Sequence, residues 1–535
     1  MRIRILIFVI LFSFGIGLYL PFISLKEFQG EEGRRVLIAI QMLENSEYLV
    51  PKLFGEPYFM KPPLFNWALA LFFKLTGNFS EFSARAFSAL SLIGASLFLT
   101  FIWLNILKKF KKEPSLLEYL LPGLIFLTTP EVIDKALRAE IDGFYTAIIT
   151  IGIYSWFFFH EIQKRKTLAF ILLGFFLGLG VLTKTFQALV FFYFAYIPYL
   201  FWQRRLKEIF SFHHLLGIST ALLVFLLWAI PVSQKVGLKP FISAWIEEYI
   251  SSAKAKEMSF LQHLESFTLQ ALIGFSPWLF TVLIILKSEF RDFLKSQNLG
   301  LNKLFFFSVF LFVFGYLFHF LFPGARLRYM LPSVSGLIFC ATITFYYLFS
   351  LEKMSQKLNI FFKIVLALSI FLSFVSLLYL FFTRLSVLSL FYLFLFLFIF
   401  FNLWFLYKKS YTYKELFLFL CFYVFFIKHL YVTFYYPLHE KEMNYFRKAA
   451  FQIAELIKDK KELYLCKVIP HHLVYYLKYR YKLIDRIEYL KDCQNLPNKS
   501  YILVKADEEN YPKEKINKIY SVEIRKKKYY LLITY

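Results

Sequence analysis

Residues 27–67 read EFQGEEGRRVLIAIQMLENSEYLVPKLFGEPYFMKPPLFNW. Apolar runs at 3–24 and 83–107 flank this stretch, each close to the roughly 20 residues that cross a bilayer. Between them stand two adjacent carboxylates, Glu31 and Glu32, two adjacent arginines, Arg34 and Arg35, and the stiff step Lys61-Pro62-Pro63. Charge beside lipid is costly and is kept where it has a use. The stretch therefore reads as a site carried on a loop between two membrane spans.

Working outward, apolar runs recur at 116–131, 141–161, 167–183, 186–203, 212–232, 267–287, 303–323, 327–350, 359–383, 386–408 and 413–435. With the first two they predict a polytopic, all-α membrane protein of about 13 spans. Composition agrees, since 59% hydrophobic and 22% aromatic residues exceed the apolar share of a soluble domain. The first run begins with basic residues, as a leader would. It is longer than a leader's apolar core and has no small-residue cleavage site before Glu27, so it is read as a retained helix.

Basic residues cluster at every second turn: Arg2 and Arg4, Lys108 to Lys112, Lys164 to Lys166, Arg204 to Lys207, Lys287 to Lys303, Lys353 to Lys357, and Lys408 to Lys414. Such residues stay on the cytoplasmic side. That places the N-terminus inside, and loops 25–82 and 232–266 outside together with the tail 437–535. The second large loop reads equally as a lid or as a surface helix. The net charge of +25 partly reflects the cytoplasmic anchors, and the Lys-rich tail suits anionic lipid headgroups better than nucleic acid.

After the transmembrane domain, 1–436, the texture changes. An amphipathic segment at 442–458 precedes short apolar runs at Leu463–Lys467, Tyr501–Lys505 and Tyr529–Tyr535, which predicts a small α/β domain. Cys466 and Cys493 share it, and a disulfide is permitted outside the cytoplasm, although spacing alone does not show that they meet.

In the first loop, Gly30 can cap a helix whose first turn holds Glu31 and Glu32. Its apolar face, Val36, Leu37, Ile40 and Leu43, predicts a helix lying along the membrane surface. The helix dipole alone would favour acids there. The functional reading is that one carboxylate takes a proton from an attacking hydroxyl while Lys61 and nearby arginines hold a phosphate leaving group. The membrane setting and the following Lys-Pro-Pro favour that reading.

The order of an acidic pair, Gly-Arg and GEPYFMKPPLFNW, then ALRAEIDGFYT (136–146), LGLGVLTKTFQALV (177–190), GFSPW (274–278) and ARLRYMLP (325–332), resembles the bacterial GT-C fold glycosyltransferases. The branch resembled is that of the dolichyl-phosphate-mannose-protein mannosyltransferases and aminoarabinose lipid A transferases. The resemblance covers most of residues 25–335 and implies a GT-C fold with periplasmic juxtamembrane helices. It also implies inverting transfer of a sugar from a polyprenyl phosphate to an acceptor at the outer face. By that resemblance Glu31 is the catalytic base, Arg34 belongs to the same motif, Tyr58 and Lys61 lie on the donor-phosphate side, and Asp142 is the second acidic position. Two departures matter. Glu31 stands where the base is usually Asp, one methylene shorter, so Glu32 remains a rival. Met60 stands where the aminoarabinose enzymes carry a Glu associated with a metal and the amino sugar, which leaves a divalent metal and the sugar open.

Further substrate-binding candidates are Arg85 at the outer start of the second span, Arg138 near Asp142, Lys184 between two spans, and Arg326, Arg328 and Tyr329 on the sparsely basic side. Lys184 could equally snorkel outward. Asp142 could equally be a helix-end partner of nearby charges. The expected function is a bacterial inner-membrane glycosyltransferase moving aminoarabinose, a uronic acid or a hexose from undecaprenyl phosphate to lipid A or another envelope glycan. A protein acceptor is the near alternative. A flippase for a lipid-linked saccharide is the distant one, disfavoured because the two halves show no repeat and the charges collect at one face.

Overall fold

The structure, a computed structural model, describes every residue except 1, 110, 112, 255–258, 298, 352, 384–388, 409, 458–461, 469, 509–510 and 525–526. Among the described residues nine helices are long and apolar enough to cross a membrane, and eleven if two bent pairs each count as one span. The bent pairs are Leu116–Leu127 with Pro130–Ala136, at 64°, and Phe260–Gly274 with Trp278–Leu286, at 90°. Pro130 and Pro277 stand at these breaks, where the residue before a proline is pushed out of helical geometry. The expected spans at 186–203 and 386–408 form the shorter apolar helices Gln187–Trp202 and Phe391–Leu406. The chain is a multi-pass membrane protein.

Its contacts divide into two compact units. The first comprises Met1–Pro21, Phe59–Phe65 and Ser88–Phe434; the second comprises Phe22–Tyr58, Asn66–Phe87 and Tyr435–Tyr535. Most of the 25–82 loop thus groups with the C-terminal region.

Within the first unit, helices Ile141–Ile162 and Leu327–Ser350 are almost wholly buried, whereas Phe212–Val236 and Gln356–Val375 expose most of their apolar side chains, as lipid-facing helices do. Small residues set the closest crossing. A Cβ on Gly174 would lie 2.2 Å from the Gly217 carbonyl oxygen, so Lys166–Lys184 and Phe212–Val236 approach backbone to backbone. Charge gathers at the two ends of Ile141–Ile162. At the C-terminal end the buried Glu161 accepts from Arg205 and Lys303, both at 2.8 Å, and pairs with His160 at 2.9 Å. A carboxylate this deep is tolerable only when so surrounded, and here it ties several helix ends together.

In the second unit, strands β1 (Lys52–Leu53) and β2 (Glu56–Pro57) form a tight antiparallel ladder. Strands β3 (Glu462–Cys466), β4 (Arg486–Leu490), β5 (Tyr501–Lys505), β6 (Ile516–Ile524) and β7 (Lys527–Thr534) form one sheet in the order β4-β3-β5-β7-β6. β3 runs parallel to β4 and β5, and β7 antiparallel to β5 and β6. Cys466 and Cys493 are joined as a disulfide within a core that includes Leu496, Ile502, Val504 and Leu532. Helix Tyr445–Ile457 buries Phe446, Ala450, Ile453 and Ile457, the face expected from its spacing.

The second unit's part of the 25–82 loop and the C-terminal region are stitched together by polar bonds. The Phe28 N–H donates to the Tyr476 hydroxyl at 2.8 Å, and Tyr475 donates to the Phe79 carbonyl at 2.8 Å. Arg447 and Arg480 both pair with the buried Glu81, at 2.7 and 2.8 Å.

Glu27 closes the N-terminus of Tyr445–Ile457, accepting from the N–H groups of Phe446 and Arg447 at 3.0 and 3.1 Å. Burial pushes its carboxyl up from 4.5 to about 7 against the pull of those donors. The folded chain therefore holds a proton that the unfolded chain has released between these values. Glu27's stabilising contribution is complete below pH 4.5 and declines as pH rises to about 7, by roughly 3 kcal/mol at about 1.4 kcal/mol per unit. Glu27→Gln should remove this component, so thermal midpoints measured from pH 4.5 to 8 should shift in the variant's favour relative to wild type. A constant gap would contradict it.

Candidate active site

Gly30, at φ 60°, occupies the left-handed region that suits glycine and turns the chain into the Glu32–Asn45 helix. The helix starts one residue later than its sequence predicts. Glu31 sits at the N-cap position, yet its carboxylate makes no capping bond. It pairs instead with Arg34 at 3.1 Å and Arg35 at 3.5 Å, with 38% of its side chain exposed. The expected helix forms, and protein covers much of it. Residues 35–40 are all buried, because the His471–Val474 turn closes against it so tightly that a Cβ on Gly33 would meet the His472 ring at 2.9 Å.

Glu32 is separated from Glu31 by its environment. Arg85 holds it through Nε at 2.7 Å and Nη2 at 2.9 Å, with 2% of each side chain exposed. Glu32 also accepts from the Gln29 N–H at 2.9 Å. Arg85 spends its remaining N–H groups on the carbonyls of Ile23, Lys26 and Glu27, at 2.7, 2.7 and 3.0 Å. All five guanidinium donors are thereby used. Both residues, expected among the substrate-binding group, are thus engaged in tying this loop together, while Glu31 is the more exposed of the two carboxylates.

The Arg34 and Arg35 guanidiniums lie 6.0 and 5.6 Å from the Tyr58 ring centre, within the range of cation–π attraction. Arg34 Nε also donates to His471 Nε2 at 3.3 Å. Burial, followed by the charge of Arg34, pushes His471 down to about 3, so this imidazole is neutral and its proton sits on Nδ1. Sequence reasoning missed His471. Only a His pair at 471–472 marks it in the chain, and its partner lies 437 residues away.

Lys61 belongs to the first unit. It is partly buried, just ahead of the Leu64–Thr76 helix, with the two prolines restricting the backbone between. Also in that unit, Asp142 occupies the first turn of Ile141–Phe157. It accepts from Lys184 at 2.5 Å and lies 3.8 Å from Arg328, which pairs with Glu140 at 3.1 Å. The Lys184 ammonium lies 5.3 Å from the Tyr145 ring and 4.8 Å from the Tyr329 ring. It reaches inward to a carboxylate and two aromatic faces, which settles the snorkelling alternative.

A cavity of about 950 Å³ opens beside this group, lined by Glu131, Asp134, Lys135, Arg138, Arg326 and Arg328 among others. Asp134 pairs with Lys135 at 2.6 Å and with Arg138 at 2.9 Å, while Arg326 is exposed. Glu131, Asp134 and Lys135 were missed from sequence, although charges at 131, 134, 135 and 138 have the three- and four-residue spacing of one helical face. Among the described residues no group of three His, Cys, Asp or Glu side chains is placed to hold a metal ion.

Residues 60–230 match the family model described as dolichyl-phosphate-mannose-protein mannosyltransferase. The chain is similar to the undecaprenyl phosphate-alpha-4-amino-4-deoxy-L-arabinose arabinosyl transferase 1 of Pseudomonas fluorescens, 28% identical over 54% of this chain and 51% of that protein. The corresponding transferase of Erwinia tasmaniensis is 27% identical over 55% and 52%, and that of Pseudomonas savastanoi 29% identical over 41% and 38%. The chain thus spans about half or less of the length of the curated relatives it matches. Its fold follows the crystal structure of ArnT from Cupriavidus metallidurans bound to undecaprenyl phosphate, with TM-score 0.67 and 15% identity over 98% of this chain and 97% of that one. By fold the chain is similar to that ArnT structure, with its GT-C architecture, and about half of its sequence is similar to these transferases.

Proposed function

We propose that this protein is an inner-membrane glycosyltransferase that moves a sugar from undecaprenyl phosphate to lipid A or another envelope glycan on the periplasmic side. The observation that carries this reading is the contrast between neighbouring carboxylates. Glu32 is sealed by Arg85, whereas Glu31 stays accessible between two guanidiniums. An accessible carboxylate serves as base, and adjacent cations stabilise negative charge on a departing phosphate. In the reaction the acceptor oxygen forms a bond to the anomeric carbon as that carbon's bond to the donor phosphate breaks. The acceptor's proton passes to Glu31, and undecaprenyl phosphate leaves with the bonding pair. Asp142, held by Lys184 and Arg328, is the second carboxylate of the mechanism. Arg34, Tyr58, Lys61, Arg138, Lys184, Arg326, Arg328 and Tyr329 make up the substrate-binding set.

The periplasmic orientation is supported from two directions. Lys164, Lys166, Arg205 and Lys303 surround the C-terminal end of Ile141–Ile162, as residues on the cytoplasmic side do, and Asp142 lies at the other end. A disulfide in the C-terminal region suits an oxidising compartment.

Lys61→Ala tests the donor side. Loss of a charge-assisted contact should raise KM for undecaprenyl-phosphate sugar roughly 10- to 100-fold, with a much smaller change in kcat. An unchanged KM would remove Lys61 from the phosphate site.

A further inference from the structure

His263 stands in the first turn of helix Phe260–Gly274, whose start is fixed by reciprocal bonds between Ser259 and Gln262. It is 1% exposed and lines the cavity that Arg326 and Arg328 also line. Both ring nitrogens are spent on the backbone of one turn. Nδ1 accepts from the Gly324 N–H at 3.2 Å, and Nε2 faces the His319 carbonyl at 3.1 Å. A backbone N–H only donates and a carbonyl only accepts, so the imidazole is neutral with its proton on Nε2. A rigid ring with an acceptor on one side and a donor on the other thus spans the turn as a single brace.

The turn leads from the end of helix Leu299–Leu321 to Arg326, the residue before the short helix Leu327–Ser333. Its near end is anchored a second time. His319 Nδ1 donates to the Gly315 carbonyl at 2.7 Å, which leaves Nε2 to accept from the Gln187 amide at 3.3 Å. Gln187 opens the helix that follows Lys184. The two cations beside Asp142, Lys184 and Arg328, therefore come from segments tied to the same helix end, one through His319 and the other through His263.

A histidine bonded at both nitrogens is ordinarily a packing residue. What sets this one apart is what the braced backbone carries. Past Gly324 the chain reaches Arg326 and then Arg328, which pairs with Glu140 at 3.1 Å and lies 3.8 Å from Asp142. A misplacement of about 1 Å in such a group is costly even when its origin lies away from the chemistry.

We infer that His263 is a positioning residue of the substrate site: by bracing the turn 319–324 it sets where Arg326 and Arg328 stand, and through Arg328 the setting of Asp142. It acts through these residues and on no reacting atom. The inference rests on the transferase reading only for what Arg326 and Arg328 bind.

Two measurements on the purified full-length protein separate this role from packing. The first is a double-mutant cycle of unfolding midpoints in one detergent, with wild type, His263→Phe, Arg328→Met and the double variant. If the brace sets Arg328, removing it weakens the Arg328 ion pairs, so Arg328→Met should cost clearly less in the His263→Phe background than in wild type. Additive costs would overturn the inference. The second is the kinetics of transfer from an undecaprenyl-phosphate sugar to lipid A. His263→Phe keeps a flat ring and loses both bonds, so it should raise KM for the substrate that Arg326 and Arg328 hold roughly 10-fold, with kcat changed much less. His263→Asn, whose Oδ1 can accept from the Gly324 N–H, should recover most of that loss. His263→Gln, whose amide reaches the His319 carbonyl instead, should recover less, because Gly324 is the end of the turn nearer to Arg326. A folded His263→Phe with wild-type KM for both substrates would also overturn the inference. Should His263→Phe fail to fold, His263→Gln takes its place in both measurements. If wild type itself transfers no sugar, the transferase reading fails, and the cycle still decides this one.

Discussion

Glu31→Gln is expected to lower the rate of transfer by roughly 10²- to 10⁴-fold, the usual worth of a positioned general base, while the thermal midpoint stays close to that of wild type. Gln has the same shape and can still accept from Arg34 and Arg35, so the loop has no reason to move. It cannot take up a proton. The pairs lost are partly exposed, Glu31 at 38% and Arg34 at 24%, and such pairs contribute little to stability. The check is kcat at saturating donor and acceptor, alongside thermal unfolding of the same preparations. A variant that is folded and fully active would remove Glu31 as base. A variant that is inactive because it is unfolded would show that Glu31 holds the loop.

The second large effect is the opposite kind. Arg85→Met is expected to cost about 3–5 kcal/mol, the penalty for leaving a buried charge without its partner. Glu32 would keep its carboxylate at 2% exposure without the guanidinium that pairs with it, and the carbonyls of Ile23, Lys26 and Glu27 would lose their donor. Adding Glu32→Gln to Arg85→Met removes the stranded charge and should recover part of the loss. The measurement is the unfolding midpoint of the single and double variants in one detergent. A loss below about 1 kcal/mol for Arg85→Met would mean that the pair is replaceable by packing alone.

These two neighbours show where the sequence stops being informative. Glu31 and Glu32 are identical residues one position apart, and their roles diverge because Arg85, 53 residues further on, claims one of them. No local pattern marks that choice. The same holds for His471, which meets Arg34 across 437 residues, and for the His471–Val474 turn that closes against the Glu32–Asn45 helix. Amphipathic spacing identifies an apolar face, but not whether lipid or protein covers it.

The spans were legible because crossing a bilayer demands length and apolarity together. Where the structure departs from uniform spans, at Pro130 and Pro277, the prolines themselves were visible but the size of the bends was not. In the C-terminal sheet, the three strands read from sequence are β3, β5 and β7, the interior ones. The two missed, β4 and β6, are its edges. β4 is only partly buried along its length, and a strand with water on its open side carries a weak apolar pattern. The candidate site was legible as an inventory of charges; what remained hidden was which charges spend themselves on each other.

The most direct test of the central claim is a labelled-donor experiment. Purified protein is placed in proteoliposomes containing lipid A and undecaprenyl-phosphate donors with radiolabelled sugar, and the products from wild type and Glu31→Gln are compared. The expected result is covalent label on lipid A with wild type and almost none with Glu31→Gln. Label that only changes leaflet, to the same extent with both proteins, would contradict the account and identify a flippase.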